Sequence, residues 1–183
     1  MRDLTPMGWR ETSAVVAILA ASSVALTLGF ACALPLAAFA AISALLLAPR
    51  GAIGAVLAVW LVNQVVGFAF LRYPTDASTI AWGFALGAVA LLSLGAARLV
   101  LSRFGGLAGS LAAFLLAFGV YEGAIYIACV GSGTGVGSFT APIVARIFLI
   151  NAASFVALLA ASGLLTRARV QRRTEGSAAL RHA

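Results

Sequence analysis

The apolar runs constrain this chain more than any other feature. Residues 12–48, 51–71, 79–101, 107–129 and 140–165 are apolar almost throughout, and the breaks between them are short clusters of Arg, Pro, Gly and small polar residues. A helix needs about 20 predominantly apolar residues to cross a hydrocarbon layer about 30 Å thick. Runs of this length, separated this way, predict membrane-crossing helices joined by short turns. Composition agrees: 63% of the 183 residues are hydrophobic, 9% are charged, and the mean hydropathy is +1.09. A soluble domain carries about 25% charged residues. A water-soluble globule and a disordered chain are excluded, and two cysteines are too few for a disulfide-stapled scaffold. The expected fold class is all-α, a polytopic membrane bundle with no separate soluble domain.

The first run is too long for one crossing. As a single helix, 37 residues would extend about 55 Å. Read as a hairpin it becomes two short arms, about 12–30 and 34–48, with Pro35 marking the restart. The arginines choose between these. Arg2 and Arg10 precede the run and Arg50 follows it, so two crossings keep all three on one side, as the positive-inside rule requires. The prediction is six transmembrane helices, about 12–30, 34–48, 51–71, 79–101, 107–129 and 140–165, with both termini cytoplasmic. Residues 167–183 form a basic cytoplasmic tail. Ten arginines then fall inside and only Arg72 outside, with Arg146 inside a span. All twelve basic residues are arginine, and the net charge of +7 sits largely in the tail. That placement reads as a topological anchor rather than a nucleic-acid surface. A cleavable signal peptide fits less well, because the apolar run outlasts an ordinary h-region. No internal repeat is apparent.

Two charges fall within spans, Glu122 and Arg146. A charge at the centre of a span costs at least about 2.5–3.5 kcal/mol on insertion scales and marks a functional position by default. Counted from the outer ends of their helices, both lie about 10 Å deep. Two readings stand: an interhelical ion pair acting as glue, or part of a binding site. Phe118, Glu122, Tyr126 and Cys129 fall at i, i+4, i+8 and i+11 on one helix face, and Trp60, Asn63 and Gln64 sit at similar depth on another span. Apolar walls with a few converging polar groups are how ligand cavities are built. The candidate ligand-binding residues are therefore Glu122, Arg146, Tyr126, Phe118, Trp60, Asn63 and Gln64. Trp82 reads as an aromatic-belt residue and Asn151 as an interhelical hydrogen-bonding group.

Small residues recur every fourth position in the first span: Ser13, Ala17, Ala21, Ala25 and Gly29. Gly83 and Gly87 repeat that spacing. Small faces let membrane helices approach closely, and they serve either packing within the bundle or docking of another subunit. The segment 131–138 has four glycines in seven residues, lacks a phosphate-binding signature, and reads as a linker or as a lid. The only histidine, His182, lies in the tail, so no histidine-based nucleophile, metal or haem site is expected in the membrane. No enzyme activity, metal or cofactor is predicted. Cys32 and Cys129 read as separate thiols at outer helix ends, with pairing allowed in an oxidising compartment.

These features resemble the membrane-embedded substrate-binding (S) subunits of energy-coupling-factor vitamin transporters. The resemblance rests on six-helix architecture over the whole chain, on the ladder Ser13, Ala17, Ala21, Ala25, Gly29, and on the polar cluster at Glu122 and Arg146, rather than on a motif. It implies uptake of a small vitamin-like ligand across a bacterial plasma membrane, release driven by a separate transmembrane coupling subunit with ATPases, and docking through the first helix. Arg146 would then meet an anionic ligand group, with Tyr126, Trp60 and Phe118 against a ring. The alternatives are a structural or accessory membrane protein with Glu122–Arg146 as glue, and a small self-sufficient transporter or channel.

Overall fold

The computed structural model describes residues 13, 15, 17–19, 21, 22 and 35–179, all helices and connections. Residues 13, 15, 17–19, 21 and 22 are helical. Thereafter come α1 (Leu36–Leu46), α2 (Pro49–Val65) running into a π turn (Val66–Phe70), α3 (Ala77–Leu101), α4 (Gly106–Ser132) and α5 (Ala141–Ala179). Four segments are long and apolar enough to cross a membrane: Pro49–Phe70, Ala77–Leu101, Gly106–Ser132 and Ala141–Gly163. These make the chain an all-helical membrane protein. They match four of the six predicted spans to within a few residues.

The boundary differences have local causes. Pro49 opens α2 instead of breaking the chain before it, because a proline at the first helical position lacks only a donor that the helix would leave unused. α3 begins earlier than expected, at Ala77, because Asp76 caps it: one carboxylate oxygen accepts from the backbone N–H of Ser78 and of Thr79, both at 3.0 Å, and the other accepts from the Thr79 hydroxyl at 2.7 Å. The hydroxyl and these amides hold the Asp76 carboxyl below the ordinary aspartate range. Stability from this cap is therefore present above the usual value near pH ~3.9 and is lost as pH falls through the lower folded value. Asp76→Asn keeps a capping oxygen without the charge, so its acid unfolding should lack this component. Identical acid titrations for the two proteins would refute it.

The predicted second span is the main departure. α1 has 11 residues rather than the fifteen of 34–48. At 1.5 Å per residue it extends about 16 Å, half of a bilayer core. Leu47 is extended, and Ala48 must also be extended because Pro49 follows, so the helix stops there. No residue from Leu36 to Ser43 is more than 2% exposed. α1 touches each of α2, α3, α4 and α5, and so it forms the centre of the bundle. Its Ala-rich sequence suits that place, since small side chains on all faces let four helices close around it.

A buried half-length helix leaves terminal backbone groups inside the protein, where water is not available to satisfy them. Two side chains from distant helices do so. Asn151 on α5 accepts from the Ala38 N–H through Oδ1 at 3.1 Å, and its Nδ2 donates to the Ile147 carbonyl at 3.0 Å. At the other end, Arg98 of α3 donates through Nη2 to the Leu47 carbonyl at 2.6 Å. Its positive charge there also complements the C-terminal end of the α1 dipole. The predicted hydrogen-bonding role of Asn151 thus has a specific object.

The other contacts set the remaining helices. Trp60 of α2 donates through Nε1 to the Gly83 carbonyl at 2.7 Å, and its indole lies over Gly87, where an added Cβ would stand 2.9 Å from the ring. Gly83 and Gly87 are therefore a packing face between α2 and α3. Phe114, Phe118, Phe148 and Phe155 form an aromatic cluster that joins α4 to α5.

Candidate functional site

A cavity of about 500 Å³ lies between α3, α4, α5 and the 133–140 connection. Trp82 and Leu86 of α3 line it, as do Tyr121, Glu122, Ile125 and Cys129 of α4 and Ile143 and Ile147 of α5. Thr134, Gly135, Ser138 and Phe139 close it from the connection. Short turns make α2–α5 alternate in direction, so this end of the bundle also carries the 71–76 turn. Arg50, Arg98 and Arg103 lie at the opposite end. Along α4, Cys129 is about 5 Å and Tyr121 about 16 Å from the helix end. Asn151, which holds the start of α1, is about 15 Å from the start of α5. The cavity therefore occupies the depth above α1, and α1 fills the depth below it.

The Gly-rich connection has a defined backbone on one side of the cavity. Gly133 and Gly135 take left-handed backbone angles, φ 69° and 79°, which favour glycine. The Thr134 N–H donates to the Cys129 carbonyl and the Gly133 N–H to the Val130 carbonyl, a Schellman closure of α4. This turn brings Gly135 over the Cys129 thiol, and a Cβ at Gly135 would stand 3.1 Å from Sγ. Cys129 is buried and free, while Cys32 lies outside the described residues. Residues 131 and 132 end α4, and residues 133–138 form an exposed connection beside the cavity.

Glu122 is the one sequence-predicted ligand residue that lines this cavity. Its Oε1 is buried and has no hydrogen-bond partner. The ion pair with Arg146 is not formed, because Arg146 is exposed on α5. Matched depth fixes height along two helices but not direction around them. On α5, Ile147 and Asn151 point inward, and Arg146 precedes Ile147 by one residue, about 100° around the helix. Phe118 belongs to the aromatic cluster, and Tyr126 is exposed with its ring edge-on to Phe139 at 5.1 Å. Trp60 and Gln64 face Gly87 and Gly83 across the α2–α3 contact, and Asn63 on the same helix is half-buried. None of these five lines the cavity.

Of the lining residues, Tyr121 is not marked by the sequence, Trp82 is read there as an aromatic-belt residue, and Cys129 is placed on the Glu122 face without a ligand role. Tyr121, Ile125 and Cys129 recur at four-residue spacing, one position round the helix from Phe118, Glu122 and Tyr126. Glu122 belongs to the edge of both stripes. Comparison with family models, curated proteins and solved structures finds no match for this chain.

Proposed function

We propose that this chain is a membrane-embedded substrate-binding subunit that captures a small molecule at the end bearing the 133–140 connection. The observation that carries this reading is the cavity, lined mainly by apolar side chains, with Glu122 in its wall and one oxygen of that carboxylate without a hydrogen-bond partner. A cavity of 300–1,000 Å³ with few polar groups is the usual form of a small-ligand site. The arginine distribution supports an outward-facing mouth under the positive-inside rule. It also supports six crossings with cytoplasmic termini in a bacterial plasma membrane. In this reading release to the cytoplasm is driven by a separate transmembrane coupling subunit with ATPases, as in the S subunits this chain resembles.

The first helix lends further support. Ser13, Ala17 and Ala21 are exposed while Leu19 is buried, so the small-residue stripe faces away from the core. Ala25 and Gly29, its other members, lie outside the described residues. An outward small stripe is what docking against another membrane helix requires.

The test is gentle purification of the full chain into lipid nanodiscs, followed by native mass spectrometry. A bound small molecule released on denaturation is the expected result. A ligand-free chain from cells grown in both rich and minimal medium would leave the accessory-protein reading in its place.

A further inference from the structure

We infer that the cavity selects an organic cation, a protonated amine or amidine on a flat apolar body, whose N–H is received by Glu122. This rests on the substrate-binding reading above and specifies its ligand class. The charge of the cavity wall is one-sided. Glu122 is the only ionisable acid or base among the described lining residues apart from the weakly acidic Tyr121 and Cys129. The sequence contains no lysine, Arg146 is exposed on α5, and Arg72, in the 71–76 turn at this end, is exposed and not among the lining residues. Among the described lining residues no cationic side chain is present to balance a ligand anion.

Glu122 is half-buried and its Oε1 has no donor; leaving a carboxylate oxygen so shielded is costly, and a donor that reaches the carboxylate offsets that cost. A charged donor recovers most, because N⁺–H···O⁻ contacts are about twice as strong as neutral ones. A bare metal ion is a poor candidate. Among the described residues no group of three His, Cys, Asp or Glu side chains gathers to hold one. The cation must therefore bring its own N–H groups and an apolar body. The remaining wall suits that body. Trp82, Tyr121 and Phe139 present aromatic rings, which attract both flat ring systems and cations. Leu86, Ile125, Ile143 and Ile147 complete an apolar lining, and the hydroxyl residues Thr134 and Ser138 belong to the 133–140 connection.

Three probes that share an indole ring separate the possibilities: tryptamine, a cation; tryptophol, neutral; and indole-3-acetate, an anion. Binding is measured by calorimetry on the full chain in nanodiscs. Tryptamine should bind at least about tenfold more tightly than tryptophol, and indole-3-acetate should bind most weakly. Glu122→Gln should remove the tryptamine advantage while leaving tryptophol affinity unchanged. Arg146→Gln should leave the order intact. The wild-type order alone decides the matter if the Glu122 variant fails to fold. Equal or tighter binding of tryptophol or indole-3-acetate overturns the inference, as does binding of none of the three. If a neutral or anionic molecule co-purifies with the chain, the ligand class is wrong and the substrate-binding reading survives. If nothing co-purifies and no probe binds, both fall.

Discussion

Phe155→Ala is expected to destabilise the bundle by about 2–4 kcal/mol, measured by unfolding in mixed micelles with increasing SDS. The residue is 1% exposed and stacks on Phe114 with ring centroids 4.8 Å apart. In a water-soluble core such a change costs about 3–5 kcal/mol, part of it lost transfer out of water. In a bilayer that part vanishes, because lipid tails are as apolar as the core. The unfilled space remains. At about 24 cal/mol per Å³, the roughly 100 Å³ between the two side chains contributes about 2 kcal/mol. The lost ring pair adds about 0.5–1.5 kcal/mol. A cost below about 1 kcal/mol would mean that α4 and α5 close over the gap, and that the cluster does not hold them apart.

Asn151→Leu should cost about 1–3 kcal/mol in the same assay, although it replaces a polar side chain by an apolar one in a membrane protein. Transfer to lipid alone predicts the opposite sign. The deciding quantity is the Ala38 N–H, which loses its 3.1 Å acceptor and has no water to replace it. If the variant is as stable as wild type or more so, the Asn151 side chain is not what completes α1.

The positions of the long helices were legible because they are marked by residues with local physical meaning. Arg, Pro and Gly interrupt the apolar runs, and Gly83 and Gly87 permit close approach. The directions in which side chains point were not legible. In a soluble helix the buried face is the apolar one, but here the lipid-facing side is equally apolar, so no pattern separates Arg146 from Ile147. The placement of Trp60 and Gln64 against α3 rather than on the cavity has the same origin: depth along the axis is readable, azimuth is not. Glu122 was found because a lone carboxylate in a span stands out whatever its neighbours do. Tyr121 did not stand out, and Trp82 read as a belt residue, because aromatic side chains are ordinary in such helices. α1 was overestimated because an alanine-rich run gives no sign of where a helix ends when its cap comes from another part of the chain.

That capping arrangement also imposes an order of assembly. During synthesis α1 emerges long before its partners. Arg98 follows its C-terminal carbonyl partner by 51 residues, and Asn151 follows Ala38 by 113. Until α5 leaves the ribosome, the N-terminal end of α1 has no acceptor for the Ala38 amide. A nascent chain truncated before residue 151 therefore cannot hold its central helix as the finished protein does. The last span made is the one that completes the middle of the molecule.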